Sequence, residues 1–293
     1  GFFVCAQDSL KLGYYNASGD IQKTQKGILY LDELRFEDPD LALLICDSLI
    51  DLQKSKNSIT YLAALYEQAG GAAWHKGDLK TSTYFYKLSF LYNYKTGNIL
   101  ELASALNNVA YNYFESGNYT EALQHLSLAQ RIGKKLNDEE LLSVTNTYIG
   151  QVNIKLKEYE RGIKAYKQSL SYFEKKNKLR NQAIVYNNIG NAFLLQNMHD
   201  SALYWFNLSQ NLNLKASNQN GVALALSNKG RAYIEQKEYP KAEDALLSAY
   251  KKYNTQKNDL SLVLVFSNLA RLYTETNRID EAITFAQKSE ELA

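Results

Sequence analysis

The chain has 293 residues, of which 45% are apolar and 22% charged, a balance typical of a folded protein. Two prolines and fifteen glycines are too few for a turn-rich β protein, so the composition favours helices. The 33 basic and 31 acidic residues leave a formal net charge of +2, which provides no strong positive field, and we expect this segment to bind no nucleic acid.

The chain begins with an apolar run that is typical of the end of a signal peptide. Phe2 and Phe3 precede Val4-x-Ala6, which has the small residue expected before a cleavage point. We interpret residues 1–22 as a signal-peptide remnant and N-terminal lead-in; the alternative is a frayed apolar tail. The first interpretation predicts an exported protein, periplasmic or membrane-tethered, and the second a cytoplasmic one. No run of about twenty apolar residues is present, so we expect no membrane span here.

From residue 23 onward, small and large residues recur at intervals of 40. One column is small at six of its seven positions: Tyr30, Gly70, Ala110, Gly150, Gly190, Gly230 and Ala270. A second column is large at five of its seven positions: Cys46, Tyr86, Leu126, Tyr166, Phe206, Leu246 and Ala286. Glycine inside a helix costs about 1 kcal/mol relative to alanine, so its recurrence predicts close helix contacts in which a large residue fills the gap.

Each repeat is predicted to form two helices joined by a short turn. Apolar residues fall at helical spacing in the first helix, as at Tyr186, Ile189 and Phe193, and again in the second. The turns carry residues that tolerate left-handed backbone, namely Asn57, Gly77, Gly97, Gly117, Asn137, Asn177, Asn197 and Asn277. Pro39 and Pro240 are expected in the first turn of a second helix, where a missing N–H costs nothing.

These columns resemble the tetratricopeptide repeat (TPR), whose pattern is a large residue, a Leu-Gly pair, a Tyr and later an Ala followed by an aromatic. The residues that carry the resemblance include Tyr186, Ile189, Gly190, Phe193, Ala202 and Phe206. The resemblance covers residues 63–293 and, more weakly, 23–62, where Lys26 and Tyr30 depart from it. The period of 40 is longer than the usual 34, and the proline that ends the second helix is absent.

The resemblance implies an all-α fold, a right-handed TPR superhelical solenoid of about seven antiparallel helix hairpins. The repeats are placed near residues 23–62, 63–102, 103–142, 143–182, 183–222, 223–262 and 263–293. In this architecture the first helices line a concave groove, which is the expected binding surface.

Asparagine and arginine recur on the first helices. The candidate groove residues are Asn107, Asn108, Asn187, Asn188, Asn191, Asn228, Arg231, Asn268 and Arg271. Asparagine amides can pair with the main chain of an extended peptide, and the arginines can supply charge for an acidic group. The alternative is that the asparagines cap or bridge neighbouring helices and contact no ligand.

Catalytic and metal motifs are absent from the sequence. His75, His125 and His199 fall at three different points of the repeat, and neither Cys5 nor Cys46 has a histidine at a suggestive spacing. We therefore expect no enzyme activity, no metal and no cofactor. The sequence instead favours a non-enzymatic protein- or peptide-binding TPR scaffold.

The last repeat stops 31 residues into its length, with apolar Ile283 and Phe285 on its final helix and no capping helix after it. We expect the native protein to continue. The chain resembles the N-terminal TPR sensor region of bacterial membrane-linked transcriptional regulators, which implies the input module of a larger signalling or transcriptional regulator. The alternatives are a free-standing adaptor or co-chaperone that assembles a complex, and a homodimer formed through the uncapped C-terminal end.

Overall fold

The computed structural model describes the backbone of residues 2–255 and 259–292 and the side chains of residues 8–255 and 261–292. All regular structure in these residues is helical. The helices are α1 Phe2–Tyr15, α2 Asp20–Glu37, α3 Pro39–Ser55, α4 Leu62–His75, α5 Leu79–Thr96, α6 Ile99–Glu115, α7 Tyr119–Leu136, α8 Glu139–Lys155, α9 Tyr159–Lys175, α10 Leu179–Leu194, α11 His199–Lys215, α12 Gln219–Glu235, α13 Tyr239–Thr255, α14 Asp259–Glu275 and α15 Ile279–Leu292. The apolar run at the N-terminus lies in α1, and its side chains are outside the described set.

The chain divides into two compact units, residues 1–152 and residues 153–293, with the boundary inside α8. Unit 1 contains α1, the hairpins α2–α3, α4–α5 and α6–α7, and most of α8. Unit 2 contains the end of α8, α9, and the hairpins α10–α11, α12–α13 and α14–α15. Within each unit the first helices of successive hairpins also contact each other, as α10 contacts α12 and α12 contacts α14. This is the all-α fold of antiparallel helix hairpins that the repeats predicted.

Left-handed backbone ends the helices at a regular interval. A positive φ recurs every 20 residues from Asn57 to Lys237 and again at Asn277, and it includes all eight predicted turn positions. It also includes Lys157, Ser217 and Lys237, with φ values of 63°, 53° and 60°, although Lys and Ser do not favour left-handed backbone. The repeat register, rather than residue type, would have found these three turns.

The glycine column has the packing role that its recurrence predicted. A Cβ built on Gly190 would lie 2.6 Å from the Phe206 ring, and one on Gly230 would lie 2.5 Å from Leu246 Cγ. Phe206 and Leu246 are fully buried on the second helix of the same hairpin. The absence of a side chain on the first helix therefore admits the large residue of the second.

Lys229 departs from the packing pattern of its column. The equivalent residues Val109, Ile189 and Leu269 are aliphatic and at most 1% exposed. Lys229 is half-buried instead, its Nζ donates a hydrogen bond of 3.1 Å to Gln210 Oε1, and burial lowers the pKa of its amine. An amine thus lies where the neighbouring repeats bury a hydrocarbon.

Candidate functional site

Four of the candidate asparagines are buried and join neighbouring first helices. In unit 2, Nδ2 of Asn228 on α12 donates a 2.8 Å hydrogen bond to Oδ1 of Asn187 on α10, and Nδ2 of Asn268 on α14 lies 3.5 Å from Ser227 Oγ on α12. These three asparagines are 2%, 6% and 9% exposed, respectively. They bridge helices, which is the alternative role considered from the sequence.

Unit 1 contains the same kind of bridge. Nδ2 of Asn107 on α6 donates to Thr145 Oγ1 on α8 at 3.0 Å, and that hydroxyl donates back to Asn107 Oδ1 at 3.1 Å. Asn107 is 3% exposed, so both hydrogen bonds form away from solvent. Buried amides of this kind are costly to leave unpaired, which makes these bridges a means of fixing the spacing of the first helices.

Three further candidates lie beside the buried asparagines and are only partly exposed. Asn188 and Asn191 on α10 and Arg231 on α12 are all half-buried. The Nδ2 of Asn188 is shielded from solvent and has no hydrogen-bond partner in the described part of the chain. An amide donor in that state is ready to pair with a ligand acceptor, since burying it unpaired costs about 1–3 kcal/mol. Asn108 in unit 1 is half-buried at the position equivalent to Asn188.

Arg231 carries a positive charge that its surroundings balance only in part. Its Nη1 makes one long hydrogen bond, 3.4 Å, to Asn228 Oδ1, and no carboxylate lies within ion-pair distance among the described residues. Burial is the main cause that lowers the pKa of its guanidinium; the nearby Glu235 charge opposes this, and the Arg271 charge lowers the pKa further. Burial and Arg271 disfavour the charged form, so an anionic group placed here would stabilise it.

Arg271 is engaged within the chain. Its Nη1 pairs with Glu235 at 2.8 Å, and its Nε pairs with Glu275 at 3.1 Å. The Arg271 hydrogen bond lowers the pKa of Glu235, and Glu235 in turn raises the pKa of Arg271. Two carboxylates therefore already balance Arg271, and Arg231 is the better anion-binding group of the two predicted arginines.

The corresponding face of unit 1 is aromatic. Trp74 on α4 contacts Tyr111 on α6 with ring centroids 5.8 Å apart, and Tyr111 contacts Tyr148 on α8 at 5.5 Å. We call these three rings the aromatic ladder. The Trp74 ring thus reaches the first helix of the next hairpin. Trp205 packs within its own hairpin, 5.4 Å from Tyr186.

None of the helices described is long and apolar enough to cross a membrane. In the same part of the chain, no three His, Cys, Asp or Glu side chains are grouped as metal ligands.

The repeated hairpins, with polar and aromatic residues gathered on the first helices, define a helical-repeat protein. The family follows from the sequence: the model described as "Tetratricopeptide repeat" matches residues 140–215 and 218–293, more than half of the chain, and a second model of the same description matches residues 102–136. The chain belongs to the tetratricopeptide repeat family. No curated protein matches the sequence.

Several solved structures share the fold at low sequence identity. The apo form of the quorum sensor NprR from B. thuringiensis has a TM-score of 0.75 and 18% identity, covering 98% of this chain and 80% of NprR. Aspartyl phosphate phosphatase F from Bacillus subtilis has a TM-score of 0.72 and 16% identity, covering 98% of this chain and 72% of the phosphatase. A Rap protein complexed with competence and sporulation factor has a TM-score of 0.72 and 12% identity, covering 94% and 87%.

Proposed function

We propose that this chain is a non-enzymatic scaffold that binds an extended peptide segment on the first helices of unit 2. The contact residues are Asn188, Asn191 and Arg231. The asparagines pair with the peptide main chain, and Arg231 pairs with an acidic side chain or the terminal carboxylate. Arg271 has a secondary role, because a ligand would have to compete with Glu235 and Glu275 for it.

The observation that carries the proposal is the set of unused donors at Asn188 and Arg231. The buried Asn188 Nδ2 has no acceptor among the described residues, and the half-buried Arg231 has only one long hydrogen bond there. Both are donors on the same face, because positions 188 and 228 occupy one column and Arg231 lies three residues beyond, less than one helical turn. A peptide carbonyl and a carboxylate are the acceptors that would satisfy them.

The buried asparagines support the binding surface without contacting the ligand. Asn187 and Asn228 hold α10 and α12 in register through their 2.8 Å hydrogen bond. Asn188 and Arg231 lie on those same two helices, so the bridge fixes the distance between the two proposed contact groups. A rigid, pre-spaced surface loses less entropy when a peptide binds.

Peptide selection tests the proposal. Peptides recovered from a random display library on the immobilised chain would be labelled and measured by fluorescence anisotropy against Asn188→Ala and Arg231→Gln. We expect each variant to weaken binding by about ten-fold, the cost of one charge-assisted or buried hydrogen bond. The matched controls are Asn211→Ala and Arg161→Gln, exposed residues on the second helices α11 and α9. Unchanged binding by both site variants, or a library that returns no peptide, contradicts the proposal.

We infer further that the scaffold is the input module of a larger bacterial signalling or transcriptional regulator. Structures with this fold include the quorum sensor NprR in complex with its cognate peptide NprX, at a TM-score of 0.68 and 13% identity. The coding sequence after residue 293 tests this role. An apolar stretch of about twenty residues followed by a helix-turn-helix or kinase motif supports it, and an immediate stop codon contradicts it. Export or membrane tethering stays a prediction from the N-terminal run.

A further inference from the structure

We propose that the aromatic ladder of unit 1 binds a cationic side chain, Lys or Arg, of the peptide ligand. The inference rests on the proposed peptide-binding function and adds a chemical requirement on the ligand. Three features of this face agree on a cation: the aromatic rings, two unpaired oxygen acceptors, and the nearby carboxylates of Glu67 and Glu115.

The rings present a continuous aromatic surface across three first helices. Trp74, Tyr111 and Tyr148 are half-buried, so part of each ring remains accessible. Neighbouring rings are tilted by 47° and 46° rather than stacked in parallel, which leaves ring surface free beside each contact. The face of an aromatic ring attracts a cation, and Trp and Tyr are effective partners for guanidinium and ammonium groups.

Two glutamine carbonyls beside the ladder have no hydrogen-bond donor. Gln68 Oε1 and Gln151 Oε1 are both shielded from solvent and unpaired among the described residues, and Gln68 is 8% exposed. Gln68 and Tyr148 occupy the same position of their repeats. Gln151 and Tyr111 also share a repeat position, which lies three residues after the first one. Residues three apart lie on one helical face, so the glutamines and the rings line the same surface. Unpaired buried acceptors favour a ligand that carries N–H donors.

The charge on this face of unit 1 favours a cation as well. Burial is the main cause that raises the pKa of the Glu67 carboxyl; the nearby Glu101 charge raises it further, and the Arg35 charge opposes the rise. Burial also raises the pKa of the Tyr111 phenol, and the hydrogen bond between its hydroxyl and Glu115 raises it further. A ligand cation would stabilise the charged forms of Glu67 and Glu115.

Arg35 already shows a guanidinium held against this face. It lies beside Gly71, where a built Cβ would be 3.1 Å from its Cδ and Nη1, and it lies 5.1 Å from the Phe36 ring centroid. Its own charge is paired with Asp32 at 2.8 Å, and it also acts on Glu67 of α4, whose pKa it lowers, so it balances that carboxylate in part. The ladder is the next aromatic surface along the first helices, and its rings have no cation of their own among the described contacts.

The test uses small probes that do not require the natural ligand. Trp205→Phe leaves Trp74 as the single tryptophan of the chain, so its fluorescence reports on the ladder. N-acetyl-arginine amide is titrated against N-acetyl-citrulline amide, which has nearly the same shape but no charge. We expect saturable quenching of Trp74 with the arginine probe and none with the citrulline probe.

Variants in the same background locate the effect. Tyr111→Leu and Gln68→Met should each weaken arginine binding by about five-fold or more, as expected for loss of one ring or one acceptor. The matched control is Tyr204→Leu, a tyrosine 60% exposed on α11. Circular dichroism verifies that each variant is folded, and the near-isosteric Gln68→Met keeps the test decisive if Tyr111→Leu does not fold.

The outcomes separate this inference from the proposed function. Equal quenching by both probes, no saturation, or site variants that bind like Tyr204→Leu would overturn the cation site while leaving peptide binding on unit 2 to its own test. Charge-selective quenching that is lost in the ladder variants supports the site, even if library selection returns no peptide and the proposed function fails.

Discussion

Asn228→Ala and Asn188→Ala, two substitutions of the same residue type in one repeat column, are expected to have different effects on stability. Asn228 is 2% exposed, and its removal leaves Asn187 Oδ1 buried without its 2.8 Å donor. An orphaned buried acceptor costs about 1–3 kcal/mol, so Asn228→Ala should lower the free energy of unfolding of unit 2 by that amount. Asn188 Nδ2 has no partner to lose among the described residues, so Asn188→Ala should change stability by less than about 0.5 kcal/mol.

Urea unfolding followed by Trp205 fluorescence measures the difference, because Trp205 lies on α11 inside unit 2. The double variant Asn187→Ala with Asn228→Ala should cost less than the sum of the two single variants, since removing both partners leaves no orphaned group. Equal stability losses for Asn188→Ala and Asn228→Ala would refute the division between buried bridge and open contact. A double variant whose stability loss equals the sum of the two single losses would also refute the buried bridge.

Three further predictions concern packing and charge. Gly190→Leu should destabilise unit 2 by about 1–3 kcal/mol or more in thermal unfolding, because even a Cβ would lie 2.6 Å from the Phe206 ring; a wild-type melting temperature would contradict this. Lys229→Leu should raise the free energy of unfolding at neutral pH. This advantage over wild type should shrink as pH rises from the lowered pKa of Lys229 through 10.5, because folded wild type binds fewer protons than its unfolded chain in that window. A stability difference that does not change with pH would refute this. Wild type should lose stability as pH falls through the lowered pKa of Glu235, and Arg271→Gln should lose less. The difference should be well under about 1 kcal/mol, because the Arg271–Glu235 pair is partly exposed. Identical stability profiles of the two proteins in acid would count against the ion pair.

The sequence predicted the fold well because packing columns obey steric rules that need no three-dimensional information. The glycine at position 190 required a large neighbour, and Phe206 in the second column supplied it. The turns were found wherever Gly or Asn marked them, and they were missed at Lys157 and Ser217, where helix packing imposes a positive φ on residues that do not favour it.

The candidate site was only partly predictable. The sequence located the polar face, but Asn188, Asn228 and Asn268 occupy one repeat column. In the structure Asn228 and Asn268 bond to the preceding first helix, whereas Asn188 Nδ2 has no partner among the described residues. Which side faces the neighbouring first helix depends on how the hairpins stack. The aromatic ladder was missed for the same reason: Trp74, Tyr111 and Tyr148 come from different repeat positions and meet only once α4, α6 and α8 are packed.

A double-mutant cycle between the protein and a selected peptide tests the central claim most directly. The affinity of the peptide and of a version with its acidic group converted to an amide is measured for wild type and for Arg231→Gln. We expect neutralising the peptide to weaken wild-type binding by about ten-fold and to change the affinity of Arg231→Gln little, which gives a coupling of about 1.4 kcal/mol. Equal losses in both proteins would show that the acidic group does not bind Arg231 and would contradict the proposed site.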